Sequence, residues 1–223
     1  MIDQMVLKTQ QWLNSTYGNK TGFGSVQETG NTGWDTINAL IRALQIELGV
    51  AATANNFGSG TQSRFKSRWP NGIIQTAGDD NVNGIIQGAL WCKGYRVEYG
   101  GITLEFTDHV ADSIRQMKSD IGLNDTSSTV DVELMMALLS MKQFRLLSAY
   151  GGKTAIRGAQ QAINRGYKNY TGIIPTDGLY GREMNKALVQ VLQAVEGYTP
   201  VEATGNFGAG TRSKLQTISS GTS

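Results

Sequence analysis

The clearest hydrophobic pattern in this 223-residue sequence runs from Ile37 to Leu48. Its apolar residues recur at intervals of three and four, which places them on one face of a helix. They are Ile37, Leu40, Ile41, Leu44 and Leu48. Gly49 follows directly and is typical of the residue that ends a helix in a left-handed turn. The pattern therefore predicts an amphipathic helix that buries one stripe in a core.

Shorter patterns on either side predict two more helices. One runs from Met5 to Asn14, and the other ends near Phe65. Turn residues precede the central helix, and Asp35 or Thr36 is expected to cap it because a side-chain oxygen can accept from a free amide of the first turn. Residues 1–70 are therefore predicted to form one small three-helix module.

The first module returns later in the chain. Asn206-Phe207-Gly208 repeats Asn56-Phe57-Gly58 at a spacing of 206 − 56 = 150 residues. The central helix is repeated at a spacing of 148 residues. For example, Leu188 corresponds to Leu40, and 188 − 40 = 148. The difference of two residues falls in a loop, where insertions are tolerated. A second copy is predicted over residues 151–218, followed by a linker-like tail over 219–223.

Residues 71–150 fit the repeat less well. The hydrophobic pattern predicts three helices there, at Ile85 to Lys93, Val110 to Ile121 and Val132 to Phe144. Alternating β-favouring residues between Tyr95 and Phe106 indicate a candidate β-hairpin. We interpret this stretch as a degenerate module or a spacer. The predicted fold class is thus all-α, a tandem array of small three-helix modules with a candidate hairpin in the middle unit.

Composition excludes several classes of protein. The net charge of +2 is too balanced for a nucleic-acid interface, so no nucleic-acid partner is expected. No apolar run is long enough for a membrane span, and no signal peptide is visible. The single cysteine, Cys92, lies in an apolar run and is expected to be a buried small hydrophobe.

A turn motif precedes the second or third helix of the repeated modules. It has glycine at its first and fourth positions and threonine at its seventh, as in Gly30 to Thr36 and Gly205 to Thr211. Met184 replaces the threonine after Gly178, and Asn55 replaces the first glycine in the remaining occurrence. The first glycine is expected to supply positive φ, the second to permit close approach to the helix, and the threonine to cap it.

These turns resemble those of the peptidoglycan-binding domain, a three-helix module of bacterial and phage cell-wall hydrolases. The opening helix strengthens the resemblance, because Leu7, Gln10 and Leu13 follow the pattern of that family. The paired modules also look like the N-terminal part of proteins in which such repeats precede a glycoside-hydrolase-like domain. The coverage is good for the outer two units and poor for the middle one.

The resemblance implies a non-catalytic binding protein that directs an attached or partner hydrolase to the cell wall. The implied partner is the glycan or the peptide stem of peptidoglycan, and the implied location is extracellular or cell-wall associated. A monomer without a cofactor is expected. Two alternatives stay open at this point: a lytic glycoside hydrolase or other hydrolase of the same polymer, and a structural component of a phage or secretion machine.

Aromatic residues near helix ends and glycine turns are the candidate ligand contacts, because sugar rings stack their apolar faces on aromatic rings. Glutamines beside them are candidate hydrogen-bond partners, although one glutamine of each adjacent pair is expected in the core. The candidate set is Tyr17, Trp34, Tyr167, Tyr170, Tyr180, Gln11 and Gln161. Phe57 and Phe207 are instead expected to plug the core beneath their turns.

Acidic residues offer weak candidates for catalysis. Glycosidases need two carboxyl groups across a cleft, and three pairs could be proposed: Glu28 with Asp35, Asp177 with Glu183, and Glu98 with Glu105. Each acid lies in a turn, at a helix start or on the candidate hairpin, where acids commonly cap helices. We therefore predict no catalytic residue in this chain.

The only histidine, His109, has Asp108 and Asp112 nearby. Zinc sites use three or four ligands, commonly several His or Cys residues, and this chain has one of each. No metal site is predicted.

Overall fold

A computed structural model describes residues 2–75, 79–97 and 100–220. Within these ranges the chain forms nine α-helices and a short 3₁₀ helix at Ser148–Tyr150. The α-helices are α1 (Gln4–Tyr17), α2 (Trp34–Glu47), α3 (Ser59–Arg68), α4 (Asp80–Cys92), α5 (Asp108–Ile121), α6 (Val132–Leu138), α7 (Thr154–Thr171), α8 (Arg182–Val195) and α9 (Ala209–Ser219). The all-α prediction is confirmed for the part of the chain that the structure describes.

The candidate hairpin between Tyr95 and Phe106 is not supported. Its described residues, 95–97 and 100–106, contain no strand, and Glu98 and Tyr99 lie outside the described residues. The backbone N–H of Thr103 and the carbonyl of Glu105 bond to the side chain of Gln87. These groups are therefore not available to pair with a second strand. The β pairing in the described ranges is one isolated bridge between Ile73 and Val130.

Helix α1 begins one residue before its prediction and ends three residues after it. Asp3 is the N-cap, and its carboxylate accepts from the backbone amides of Met5 and Val6 at 2.8 and 3.2 Å. An acceptor at this position satisfies amides that have no partner within the helix.

Helix α2 begins earlier than the sequence indicated. Its N-cap is Gly33, so the prediction that Asp35 or Thr36 caps it is wrong. Both residues lie inside the first turn, where the Asp35 carboxylate interacts favourably with the positive end of the helix dipole. At the other end, Gly49 has a φ of 66°, as its predicted role as a helix-ending residue requires.

The first of two compact units comprises Met1–Met117 and Thr126–Met141. Its centre is α4, which packs against both α1 and α2 and is buried from Val82 to Cys92. A β-carbon on Gly84 would lie 2.6 Å from the Trp12 ring, and one on Gly88 would lie 2.5 Å from the Thr9 side chain. These two glycines let α4 approach α1 more closely than any other residue would allow.

The second unit comprises Lys118–Asp125 and Lys142–Ser223. Helices α7 and α8 enclose a small core of Ile163, Ile174, Met184 and Ala187. The segment Lys118–Asp125 is bonded to α7: the Asn164 amide donates to the carbonyl of Ile121 at 3.0 Å, and Arg157 pairs with Asp120 at 2.5 Å. The module boundaries at residues 70, 150 and 218 stay a prediction.

Candidate functional site

A groove of about 210 Å³ lies beside the first turn of α2 in the first unit. Pockets that enclose small molecules usually measure about 300 to 1,000 Å³, so this groove can hold only part of a larger ligand against the surface. It is lined by Gln10, Gln27, Thr29, Asn31, Gly33, Trp34, Asp35 and Thr36. The lining combines an indole ring with amide, hydroxyl and carboxylate groups.

Trp34 is the large apolar side chain of the groove. It is the first residue of α2, and 62% of it is exposed. Exposed tryptophans that border polar groups are well suited to stack on the apolar face of a sugar ring. Asp35 is the next residue and is also exposed, so a carboxylate accompanies the ring.

Gln10 forms the floor of the groove and is 1% exposed. Its side-chain amide donates to the Thr36 hydroxyl at 2.8 Å and to the carbonyl of Asn31 at 3.3 Å. Its carbonyl oxygen accepts from the backbone N–H of Gly30 at 2.8 Å. One buried side chain thus holds the backbone of the turn that carries the groove residues. We call this arrangement the glutamine clamp.

The glutamine clamp occurs at five places in the described residues. In each, a buried glutamine accepts from one turn N–H and donates to a turn carbonyl one or two residues further on. The clamping side chains are Gln10, Gln45, Gln87, Gln160 and Gln193. The carbonyls that accept from them belong to Asn31, Asn56, Glu105, Leu179 and Asn206. The prediction that one glutamine of each adjacent pair is buried is confirmed, because Gln10 and Gln160 are buried.

The threonine of the turn motif serves the clamp. Thr36, Thr61 and Thr211 each accept from the clamping amide at 2.8 to 3.1 Å. Where Met184 replaces the threonine, the carboxylate of Asp177 accepts from Gln160 at 3.0 Å. The predicted capping role of the threonine is therefore wrong, and its hydroxyl is instead a third acceptor for the glutamine.

The two glycines of the motif differ in their roles. The first has positive φ, at 64° for Gly30 and 75° for Gly205, as predicted. The second has extended backbone, and a β-carbon on Gly33 or Gly208 would meet no atom within 4 Å. The predicted close approach at the second glycine is wrong at both positions.

The middle helices α4 and α5 also carry a buried polar residue, Gln87 and Lys118 respectively. Gln87 on α4 forms a clamp, which the sequence interpretation missed because no glycine motif follows it. Lys118 is buried and precedes Gly122 by four residues, as Gln45 precedes Gly49. Its ammonium pairs with Asp125 at 2.5 Å. A lysine thus occupies a position where the repeats have glutamine.

Tyr17, a predicted ligand contact, is buried. Its hydroxyl donates to a Glu47 carboxylate oxygen at 2.8 Å, and its ring meets Trp12 edge-to-face at 5.7 Å. Burial raises the pKa of Tyr17, and the hydrogen bond and charge of Glu47 raise it further. The ring therefore offers no open face, although its ligand role stays an untested prediction.

The other predicted contacts are dispersed. Tyr180 is 59% exposed, whereas Tyr167 and Tyr170 are half-buried, and Tyr167 packs against the core of the second unit. Gln11 is exposed, and Gln161 donates to the carbonyl of Asp120 at 2.9 Å.

Of the seven predicted contacts, Trp34 is the one that lines the groove. Sequence reasoning missed Gln27, Thr29, Asn31 and Asp35 as its neighbours. Their closeness to Trp34 in the chain was the available signal.

The two predicted core phenylalanines also differ. Phe57 is half-buried, with its ring 6.5 Å from that of Phe65. Phe207 is 50% exposed, so its predicted core position is wrong.

Several of the candidate acids bond to the protein. Glu28 accepts from the Asn14 amide at 2.9 Å, and Asp177 accepts from the backbone N–H of Leu179 at 2.9 Å. Glu183 lies 4.0 Å from the Lys142 ammonium, and Glu98 lies outside the described residues. Hydrogen bonds of this kind stabilise turns.

His109 is exposed on α5. The described ranges contain no group of three or more His, Cys, Asp or Glu residues that could hold a metal ion.

Cys92 is buried as predicted, and burial raises the pKa of its thiol to about 11. No helix among residues 2–75, 79–97 and 100–220 is long and apolar enough to cross a bilayer.

A family match assigns the chain a peptidoglycan-binding-like fold. The chain belongs to the family described as FadG/YbfG, PGDB-like domain, whose model matches residues 3–83 and 149–223. The two matched segments contain the two copies of the sequence repeat, and residues 84–148 fall outside them.

Two relatives come from Bacillus subtilis (strain 168). The chain is 46% identical to uncharacterized protein YbfG over 226 residues, which cover the whole chain and 30% of that protein. It is 41% identical to uncharacterized protein FadG over 213 residues, covering 95% of the chain and 36% of that protein. The chain therefore spans about a third of the length of these relatives. No solved structure matches it.

Proposed function

We propose that this chain binds peptidoglycan without catalysis and directs an attached or partner hydrolase to the cell wall. The main support for the proposal is that Trp34 places an exposed indole beside a polar groove in a chain of a PGDB-like family. The proposed location is therefore outside the cell, at the wall.

The groove suits the chemistry of the polymer. The indole ring can stack on a sugar ring, while Gln27 and Asn31 can bond to hydroxyl or N-acetyl groups. Asp35 adds a negative charge that would attract a free amine of a peptide stem. A glycan chain and a peptide stem both present such groups, so the two sources are distinguished by experiment.

Two modules would bind the polymer better than one. Once the first groove holds a polymer chain, binding of the same polymer by the second module becomes intramolecular and raises the avidity without new chemistry. In the second unit, Tyr180 is an exposed aromatic residue of the corresponding turn, two positions before the equivalent of Trp34. This tyrosine is the proposed second contact.

Sedimentation with isolated peptidoglycan tests the proposal. The intact chain is expected to pellet with the polymer, and Trp34→Ala is expected to weaken binding about fivefold or more, since stacking on an aromatic ring contributes about 1 to 3 kcal/mol. Tyr150→Ala is the matched control, because Tyr150 is 78% exposed and has no proposed role. Equal binding by wild type and Trp34→Ala would contradict the assignment.

Soluble competitors identify the recognised part of the polymer. Glycan fragments without peptide are expected to displace the chain if Trp34 stacks on sugar, and free stem peptides are expected to displace it if Asp35 dominates. Release of soluble sugar or peptide from the wall by the chain would instead support a hydrolase.

A further inference from the structure

The outer face of α7 and α8 in the second unit is apolar and, apart from the half-buried Leu192, exposed. Ala155, Ala159 and Ala162 form a line on α7, and Leu188, Leu192 and Val195 form a line on α8. Both lines follow the spacing i, i+4, i+7, which places each set on one side of its helix. Leu188 is 39% exposed and Val195 is 66% exposed, whereas surface helices usually present polar residues to water.

The internal repeat shows what covers this face in the first unit. The equivalents of Ala159 and Ala162 are Thr9 and Trp12, at a spacing of 150, and both contact α4. The equivalent of Leu188 is Leu40, at a spacing of 148; it is fully buried and lies 3.5 Å from a β-carbon built on Gly88. A helix therefore covers the same face of the first repeat.

The contacts of α4 also define the chemistry of that covering helix. Asn81 donates to Glu47 at 2.9 Å, while Gly84 lies against Trp12 and Gly88 against Thr9. In the second unit these three partners become Val195, Ala162 and Ala159, each of which is apolar or smaller. A helix that fits there needs an apolar residue in place of Asn81 and larger residues in place of the two glycines, because packed interfaces leave few voids.

We propose that the α7–α8 face is a docking site for one amphipathic helix, supplied by further polypeptide of the same protein. The relatives contain roughly twice as much additional chain as the part this sequence matches, so proteins of this family have polypeptide that can supply it. Docking there would join a neighbouring domain to the binding modules. This inference does not depend on the ligand of the Trp34 groove.

A grafted helix tests the proposal in the intact chain. Residues 74–93, which include α4, are appended after Ser223, since Ser223 corresponds to Ile73 at a spacing of 150. In one version the appended copy carries Asn81→Leu, Gly84→Leu and Gly88→Ala, and in the matched control it is unchanged. Hydrogen exchange of the amides in α7 and α8 is the readout.

The remodelled graft is expected to slow exchange in α7 and α8 at least tenfold, and the unchanged graft to slow it less. Leu188→Glu is expected to abolish the effect without unfolding the unit, because Leu188 is already exposed. No protection by the remodelled graft would overturn the proposal, and equal protection by both grafts would overturn the proposed chemistry. A dimer of the ungrafted chain that Leu188→Glu disrupts would show a second copy to be the occupant instead.

Discussion

The side-chain amide of Gln10 lies 2.8 Å from the hydroxyl of Thr36 and fixes the turn that carries Trp34 to the first helix of its module. The two residues are 26 positions apart, so the bond joins segments that local helical periodicity cannot relate. Because Gln10 also accepts from the backbone N–H of Gly30, its loss would leave that buried group without its partner.

Replacing Gln10 by methionine is expected to destabilise the first unit by about 1 to 3 kcal/mol, since this is the cost of a buried group without a partner. Guanidinium unfolding followed by tryptophan fluorescence measures this directly, because all four tryptophans lie in the first unit. Gln11→Met is the matched control, because Gln11 is exposed and is expected to change stability by less than about 0.5 kcal/mol. Equal effects of the two variants would contradict the structural role of the clamp.

The two glycines of the turn are expected to differ in their response to alanine. Gly30→Ala should cost about 2 kcal/mol or more, because left-handed backbone is unfavourable for alanine. Its β-carbon would also meet Ile2 and lie 3.0 Å from the carbonyl of Asp3. Gly33→Ala should cost less, about 1 kcal/mol or below, since its backbone is extended and its surroundings are open, so the remaining loss is that of a poor N-cap residue. The same fluorescence measurement applies, and a larger loss at Gly33 would refute this assignment.

Cys92 is expected to make the first unit less stable at high pH. The thiol pKa is raised from 9.0 to about 11 by burial, so above pH 9 the unfolded chain loses a proton that the folded chain retains. The free energy of unfolding attributable to this group should then fall by about 2 kcal/mol between pH 9 and pH 11, because the slope approaches its limit of about 1.4 kcal/mol per pH unit only between the two pKa values.

Cys92→Ala is the comparison for that measurement. Tyr17, whose pKa is also raised, contributes to the pH dependence of both proteins, so the difference between their slopes isolates the thiol. Parallel pH profiles for the two proteins would show that the thiol ionises as readily in the folded chain as in the unfolded one.

Tyr17→Phe separates stability from binding. The variant keeps the buried ring but loses the hydrogen bond to Glu47, and it is expected to lower the free energy of unfolding by about 1 kcal/mol. Sedimentation with peptidoglycan should be unchanged, because the tyrosine ring is buried. A clear loss of binding in a folded variant would restore Tyr17 to the set of ligand contacts.

Helical periodicity predicted the central helix of the first module well. The stripe from Ile37 to Leu48 corresponds to α2, and the internal repeat located α8 and α9 at the expected spacing. These features depend on residues close in sequence or on direct similarity between the two copies, so the amino-acid pattern alone is enough to recognise them.

The roles of the polar motif residues depended on long-range contacts. Thr36 looked like a helix cap because it follows a turn, yet its hydroxyl accepts from Gln10 on another helix. Residues 100–106 looked like part of a hairpin, yet Gln87 bonds to their backbone. In both cases a buried glutamine determined the structure, and its partners cannot be identified from local patterns.

The two tyrosines in equivalent positions show why the site was only partly predicted. Tyr17 and Tyr167 are related by the spacing of 150 residues, but Tyr17 is buried and Tyr167 is half-buried. Their exposure depends on neighbours such as Glu47, whose counterpart in the second unit is Val195. Trp34 is exposed because it starts a helix with its side chain directed to solvent, which its residue type alone does not reveal.

The glutamine clamp has a consequence for protein engineering. It bonds mainly to backbone groups of the turn, so the side chains at Gln27, Asn31, Trp34 and Asp35 can be randomised together while Gln10, Gly30 and Thr36 are retained. A library built in this way would vary the surface without removing the bonds that shape it. The turn can therefore serve as a scaffold for selecting new carbohydrate or peptide specificities.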